Sequence, residues 1–244
     1  MPAKDVIAKA WPITPSADGK YWSAWPAGDR GANFTTTFTA TESPVSAGGV
    51  YTVGYQQTGT AATGPDTTGG SPGSCYAHAA DAKDYVALIQ GQYAGNKHFS
   101  EVTVKWVGGY TAPDTHEIEI HVGTTIGVNS AVGCEIDLAF GGSAMQVIRW
   151  EDPPGGFNTI VFTTVSGGWP AVPVVDGDVI RAEFDSTSGS PIITIKKNGT
   201  AVWVVTDTSA GKIMSGNPGF GFFVRSGGTP SSYCIKGHSA GSLP

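Results

Sequence analysis

The sequence predicts an all-β protein, a sandwich of two antiparallel sheets, and three observations support that fold class. The 244 residues include 35 glycines and 16 prolines but only 14% charged residues, which is typical of many short strands joined by tight turns. Apolar and polar residues alternate with the period of two that a strand with one buried face requires. Two of these alternating runs flank Asn198-Gly199, a strong signal for a hairpin turn.

The clearest alternation begins at residue 176. Arg181 and Glu183 alternate there with Ile180, Ala182 and Phe184. The strands predicted in this part of the chain are Val179–Phe184, Ile192–Lys197, Ala201–Thr206 and Phe220–Val224. Glycines around the last of these strands allow another backbone or side chain to approach closely. Because antiparallel strands with one apolar face need a second layer to cover it, we expect a second sheet.

The same alternation recurs earlier in the chain. Seven further strands are predicted, at Phe34–Ala40, Val50–Tyr55, Tyr85–Ile89, Ser100–Trp106, His116–Val122, Gly133–Phe140 and Met145–Trp150. Residues 56–74 are mostly Thr, Gly, Ser and Pro, which predicts a long surface loop. Residues 1–30 carry tryptophans among prolines and predict an extended arm that lies on its own sandwich or on a neighbouring subunit. We therefore divide the chain into an N-terminal region, residues 1–75, and a β-sandwich, residues 76–244.

Composition also excludes several functions. The formal net charge is -6 and there is no basic run, so a nucleic acid is not an expected partner. No apolar run is long enough to cross a bilayer, so no membrane partner is expected either. The first ten residues lack the apolar core of a secretory signal. Three cysteines without C-x-x-C spacing argue against a disulfide framework or a zinc site, and Cys134 is predicted to be a small buried hydrophobe.

Acidic residues on two predicted strands are the sharpest chemical feature of the sequence. Glu117, Glu119 and His121 share one face of their strand, and Glu135 and Asp137 share one face of the next strand. If the two strands pair, four carboxylates and an imidazole stand on a single sheet surface. The following strand adds either Arg149 or the pair Gln146 and Trp150, depending on register.

Three interpretations of this surface remain open. The favoured one is the ordinary solvated face of a half-buried antiparallel sheet. The second is a non-catalytic site for a glycan or calcium. The third is a catalytic site, in which one carboxylic acid protonates a glycosidic oxygen and a carboxylate about 5 Å away acts as nucleophile. A lyase would instead use a Tyr or His base beside an Arg or Gln, for which Tyr110, His121 and Arg149 are candidates.

Three segments resemble a known family. Residues 177–184 (GDVIRAEF), 193–205 (ITIKKNGTAVWVV) and 215–223 (SGNPGFGFF) are similar to the C-terminal half of concanavalin A-like lectin/glucanase domains, the laminin-G-like jelly rolls of bacterial and phage proteins. The resemblance covers roughly Tyr85 to the C-terminus and implies a jelly-roll sandwich. Residues 135–140 also resemble the catalytic strand of laminarinase-type glycoside hydrolases, Glu-Ile-Asp-Ile-Glu. Ala139 stands where that pattern has its acid/base glutamate, so the proton donor of that mechanism is missing.

We therefore predict a non-catalytic carbohydrate-binding or adhesion module, of the kind that phage virions display as capsid decoration or fibre. The predicted ligand-binding residues are Gln146, Trp150, Trp169, Glu119, His121, Glu135 and Asp137. Trp150 and Trp169 flank loops and are predicted to form an exposed rim for sugar stacking, whereas Trp106 and Trp203 are predicted to pack in the core.

Two alternatives to this function remain. The first is a polysaccharide hydrolase or lyase that uses Glu117, Glu119, His121, Glu135, Asp137 and Arg149. The second is a purely structural virion component. The predicted location is a virion or extracellular surface, and the expected partners are a cell-surface polysaccharide and, through residues 1–30, other virion or surface proteins. We also expect a homo-oligomer. No metal ligands are assigned, and calcium is the one cofactor that the acidic residues suggest.

Overall fold

The computed structural model describes residues 33–54, 64–70, 73–89, 91–93, 95–106, 116–127, 130–139, 145–151, 161–164, 172–224 and 228–244. Fifteen strands lie in these ranges: β1 Phe34–Thr36, β2 Thr52–Val53, β3 Asp66–Thr68, β4 Ser74–Tyr76, β5 Asp84–Leu88, β6 Lys97–Trp106, β7 His116–Gly127, β8 Ser130–Ala139, β9 Met145–Glu151, β10 Val161–Thr164, β11 Val179–Asp185, β12 Ile192–Lys197, β13 Thr200–Thr206, β14 Asn217–Val224 and β15 Tyr233–Ser242. One 3-10 turn, Pro230–Ser232, precedes β15. Within the described ranges, no helix has the length and hydropathy needed for a membrane crossing.

The strands form two antiparallel sheets. The first sheet has the order β13-β12-β11-β6-β15-β4-β3, and β1 also pairs with β15. The second sheet has the order β10-β9-β8-β7-β14-β5-β2. The predicted all-β sandwich of two antiparallel sheets is therefore confirmed. Strands from residues 34–76 pair directly with later strands, so the predicted N-terminal region contributes to both sheets.

The main hydrophobic core lies between the two sheets. Alternation along β11 buries Ile180, Ala182 and Phe184 in this core, as the period of two predicts. The second sheet supplies residues such as Ile118 and Ile120 from β7. Trp106 and Trp203 pack against the same core and are partly buried, which confirms their predicted structural role. Cys134 is a fully buried free thiol in this core, also as predicted.

A buried polar network ties the two sheets together inside this core. The Ser100 hydroxyl donates a hydrogen bond to the Gly219 carbonyl across the sandwich at 2.6 Å. Ser100 Oγ and His238 Nε2 lie 3.0 Å apart, and the Tyr51 hydroxyl lies 2.7 Å from His238 Nδ1. Burial lowers the pKa of His238 to about 3, so the imidazole is neutral and both ring nitrogens have partners.

Several predicted elements differ from the structure. The hairpin at Asn198-Gly199 is confirmed, and both residues have the positive φ that a type I′ turn requires, 50° and 82°. The prediction that residues 56–74 form only a loop is wrong, because β3 and the start of β4 lie there and pair with each other. The predicted strand Phe34–Ala40 ends at Thr36, since Phe38 has a φ of 52° that leaves the strand region. Residues 1–30 lie outside the described residues, so the docking arm stays a prediction.

Candidate functional site

The strand register places the acidic residues on one surface. In the β7–β8 pair, Glu119 lies directly opposite Asp137 and His121 lies directly opposite Glu135. In the β8–β9 pair, Gln146 lies opposite Asp137. Directly opposite residues share a face of the sheet, with Cβ atoms roughly 5 Å apart. The two acidic strands therefore pair, as the sequence allowed. Of the two registers left open for the following strand, the structure has the one that places Gln146 and Trp150, and not Arg149, on the acidic surface.

Two further strands extend this surface, and sequence reasoning missed their contribution. On β14, Phe223 lies between Asp84 of β5 and Glu117 of β7, and Gly221 lies beside Glu119. A side chain at position 221 would overlap the Glu119 carboxylate and the His121 ring, so the glycine makes room for both. We call this surface the acidic face; its members are Asp84, Glu117, Glu119, His121, Glu135, Asp137, Gln146, Trp150, Gly221 and Phe223.

Most of the acidic face is buried. The exposed fractions of its side chains are 0% for Glu119 and His121, 3% for Glu135, 5% for Asp137 and 6% for Asp84. The favoured interpretation, an ordinary solvated sheet face, is therefore wrong. The physical reason is that Val86, Leu88 and Trp150 form a second hydrophobic cluster on this side of the second sheet. The second sheet thus has apolar packing on both faces.

The prediction that Trp150 forms part of an exposed rim for sugar stacking is also wrong. Its indole is 0% exposed, so it offers no free face for stacking a sugar. The Trp150 ring packs edge-on against His121, with centroids 4.9 Å apart, and its N–H donates to Glu135 Oε2. Trp150 therefore helps to hold the acidic face in place. Trp169 and Tyr110 lie outside the described residues.

Several polar atoms of the acidic face have no hydrogen-bond partner in the described part of the chain. His121 Nε2 lies 3.0 Å from Glu119 Oε2, and this contact leaves the second oxygen of Glu119 unpaired. The other unpaired atoms are Asp84 Oδ2, Asp137 Oδ1 and His121 Nδ1. A buried acceptor without a donor costs roughly 1–3 kcal/mol. Such atoms are rare in native proteins, and each requires a physical explanation.

Burial controls the ionisation of these groups. Desolvation, together with repulsion from neighbouring carboxylates, raises the pKa values of Glu119, Glu135 and Asp137 well above their ordinary range. The same causes raise the pKa of Asp84 to about 7. Desolvation lowers the pKa of His121 to about 3, so its contact with Glu119 is a hydrogen bond of a neutral imidazole and not an ion pair. Burial therefore disfavours both the ionised form of these carboxyl groups and the protonated form of His121.

Arg149 does not belong to the acidic face. It projects from the opposite side of β9, where its guanidinium pairs with Asp207 at 2.7 Å and with Glu151. Ser209 Oγ accepts a further hydrogen bond from Arg149 at 2.5 Å. The hypothesis of a lyase with Arg149 beside His121 is therefore wrong, because strand parity points the two side chains to opposite faces. The arginine instead anchors the segment that follows β13.

One end of the acidic face is less covered than the rest. Glu117, Gln146 and Phe223 are only partly buried, whereas His121 and Glu135, farther along their strands, are closed off. Phe223 also lies outside both hydrophobic clusters. We call the part of the acidic face formed by Asp84, Glu117, Gln146 and Phe223 the open end. A ligand that approaches the sheet would meet these side chains first.

The fold is a sandwich of two antiparallel sheets, and the acidic face lies on the second sheet. No protein-family model matches the chain, and no curated protein matches it significantly. Similar solved structures include a carbohydrate-binding module from Bacillus subtilis, at 10% identity over 76% of this chain and 91% of that chain with a TM-score of 0.47. A legume lectin-like domain from Entamoeba histolytica is 11% identical over 82% of this chain and 95% of that chain, with a TM-score of 0.49. Peanut lectin is 13% identical over 86% of this chain and 96% of that chain, with a TM-score of 0.43.

Proposed function

We propose that the protein is a non-catalytic glycan-binding module and that sugars bind at the open end of the acidic face. The observation that carries the proposal is the position of Phe223, a partly buried aromatic side chain between the carboxyl groups of Asp84 and Glu117. An aromatic ring flanked by hydrogen-bond acceptors suits a pyranose, which has an apolar face and a rim of hydroxyl donors.

The chemistry of the neighbouring groups supports this proposal. Asp84 Oδ2 and Asp137 Oδ1 have no hydrogen-bond donor among the residues that the structure describes, and sugar hydroxyls can supply one. Gln146 adds an amide that can both donate and accept. These side chains project from the paired strands β5, β8 and β9, so their positions are held by the sheet rather than by a loop. On this proposal, the module acts in adhesion at a virion or extracellular surface, where glycans are displayed.

Replacing Phe223 by Ala is expected to weaken glycan binding at least about tenfold, which corresponds to ~1.4 kcal/mol. The loss follows from removal of the stacking surface without any change in the carboxyl groups. A glycan array with the wild-type protein would supply the ligand, and titration calorimetry would then measure its affinity for both proteins.

The matched control for this variant is Val204→Ala, which shortens an exposed apolar side chain on β13 of the other sheet. Its affinity for the glycan should equal that of the wild type. A blank array, or a Phe223→Ala variant that binds as tightly as the wild type, would show that sugars do not bind at the open end.

A second candidate function, cleavage of a polysaccharide, is favoured by one specific distance. Carboxylate oxygens of Glu117, Glu119 and Glu135 all lie within 4.8 Å of one another, close to the ~5 Å separation of the carboxyl groups in retaining glycosidases. The raised pKa of Glu119 suits a proton donor, although the raised pKa of Glu135 leaves the nucleophile protonated. Release of reducing ends by the wild type, abolished in both Glu119→Gln and Glu135→Gln, would establish this activity.

A further inference from the structure

The two sheets differ in the charge of their strands. The seven strands of the second sheet contain one arginine and no lysine, against six acidic residues: Asp84, Glu117, Glu119, Glu135, Asp137 and Glu151. The strands of the first sheet contain four acidic residues and six basic ones: Lys97, Lys105, Arg181, Lys196, Lys197 and Lys236. A surface with charge of one sign raises the local concentration of ligands of the opposite sign. The second sheet therefore favours a cationic ligand.

Asp84 is the side chain that a cationic donor would satisfy best. It is 6% exposed, and its Oδ2 atom has no hydrogen-bond donor in the described part of the chain. Among the ion pairs between described residues, none joins a lysine or arginine to Asp84. Hydrogen bonds to charged groups are roughly twice as strong as those between neutral groups. A positively charged N–H donor therefore complements this oxygen better than a hydroxyl group does.

The aromatic ring of the open end lies beside this carboxyl group. Phe223 stands directly opposite Asp84 in the β5–β14 pair, and its side chain is only partly buried. Directly opposite residues have Cβ atoms roughly 5 Å apart and share a face of the sheet. A sugar ring that packs on Phe223 therefore places one of its ring substituents next to the Asp84 carboxyl group.

The chemistry of that substituent decides which sugars fit. A uronic acid brings a carboxylate, which the acidic face repels. A neutral sugar brings hydroxyl donors without charge. An amino sugar with a free amine brings an ammonium group, which has three N–H donors and a positive charge, on a ring that still has an apolar face for Phe223. Acetylation of the amine removes the charge, so an N-acetylated sugar behaves as a neutral one.

We infer that the open end selects glycans built from amino sugars with free amino groups, and that Asp84 binds the ammonium group. This inference rests on the proposed glycan-binding function and names its substrate class. The simplest such ligand is a β-1,4-linked oligomer of glucosamine. Selectivity against neutral sugars comes from the charge of the ammonium group, and selectivity against uronic acids comes from repulsion.

The ionisation of Asp84 makes this selectivity dependent on pH. Burial and the charge of Glu117 raise the pKa of Asp84 to about 7. The other titratable groups that interact with Asp84 are Glu119 of β7 and Glu135 and Asp137 of β8, whereas β14 contributes none. Since an ammonium group prefers the ionised carboxylate, affinity for an amino sugar should be at least about fivefold weaker at pH 5.5 than at pH 7.

Three tetrasaccharides with the same β-1,4 linkage test the inference on the full-length protein. They are the tetramers of glucosamine, N-acetylglucosamine and glucose, which differ only in the substituent at carbon 2. Calorimetry at pH 7 should show that the glucosamine tetramer binds at least about tenfold more tightly than the other two. Its affinity should fall as salt is added, because the contact is electrostatic.

An isosteric variant assigns the ammonium contact. Asp84→Asn should bind the glucosamine tetramer at least about tenfold more weakly than the wild type does, because the charged acceptor is lost. The matched control is Glu101→Gln, which removes one negative charge from β6 of the other sheet and should bind as the wild type does. Circular dichroism of each variant checks that the sheets are intact.

The inference and the proposed function fail separately. Binding of neutral glycans with no preference for the glucosamine tetramer would overturn the inference and leave glycan binding in place. A preference that persists in Asp84→Asn, or that is lost equally in Glu101→Gln, would overturn the assignment to Asp84. A preference that is lost in Asp84→Asn and kept in Glu101→Gln would support it. No binding of any tetramer, together with a blank glycan array, would overturn both.

Discussion

Phe220→Ala is expected to lower the free energy of unfolding by about 3–5 kcal/mol, the usual cost of removing a fully buried phenylalanine. Phe220 is 0% exposed and lies on β14, facing the core between the sheets. Its ring centroid is 5.4 Å from Tyr51, 5.9 Å from Phe38 and 4.9 Å from His238. The substitution therefore opens a cavity where both sheets and the buried polar network meet.

Urea denaturation followed by circular dichroism would measure this loss. The control is Phe223→Ala, three residues along the same strand, whose side chain points to the acidic face and is only partly buried. We expect a cost below about 1.5 kcal/mol for Phe223→Ala, because little packing is lost. Equal destabilisation by the two substitutions would mean that β14 does not lie between the core and the acidic face as described.

Stability is expected to fall as pH rises through about 7, the raised pKa of the buried Asp84 carboxyl group. The pKa of Asp84 is raised to about 7 in the folded state, and the pKa values of Glu119, Glu135 and Asp137 are also raised well above their ordinary range. The same carboxyl groups ionise near pH 4 in the unfolded chain. A group whose pKa is higher in the folded state than in the unfolded chain stabilises the fold fully at a pH below its unfolded-state pKa. That contribution is lost as the pH rises through its folded-state pKa. Each carboxyl group that is protonated in the folded state but ionised in the unfolded chain lowers the free energy of unfolding by about 1.4 kcal/mol for each pH unit.

Histidines act in the opposite direction at lower pH. Desolvation lowers the pKa values of His98, His121 and His238 to about 3, below the ordinary value of about 6.5. A histidine whose pKa is lowered in the folded state stabilises the fold fully at a pH above its unfolded-state pKa. This contribution is lost as the pH falls from about 6.5 to 3. These histidines titrate little above about pH 7.5 in either state, so they do not oppose the carboxyl effect at higher pH.

The pH dependence should be measured by urea titration in a buffer that contains a chelator. Asp137→Asn should reduce the loss between pH 6.5 and 8.5, because it removes one carboxyl from the buried cluster. Glu101→Gln, on the other sheet, should leave the slope unchanged. A wild-type curve that is already flat in chelator would contradict the ionisation described for the acidic face.

Much of the fold could be predicted because alternation is a local property of a strand. The pattern at Val179–Phe184 and the turn at Asn198-Gly199 specify their conformations without reference to the rest of the chain. The strand β15 was missed, although it lies inside the first sheet between β6 and β4. Its sequence, YCIKGHSAGS, is rich in Gly and Ser, and a register shift between Ile235 and Gly237 interrupts the alternation.

The acidic face could be predicted only in part, for a similar reason. Parity along a strand correctly grouped Glu117, Glu119 and His121, because that grouping needs no knowledge of neighbours. The contribution of Asp84 and Phe223 depends on the order β5-β14-β7, which brings together strands far apart in sequence. Burial of the face was missed because alternation shows which side chains share a face, and does not show what packs against it.

The most direct test of this account is a ¹³C NMR titration of the side-chain carboxyl carbons from pH 3 to pH 9 in cation-free buffer. We expect Asp84 to titrate near pH 7, as its raised pKa indicates, and Glu119, Glu135 and Asp137 to titrate well above their ordinary pKa range. Titration of all four groups near pH 4 would contradict the burial described for the acidic face.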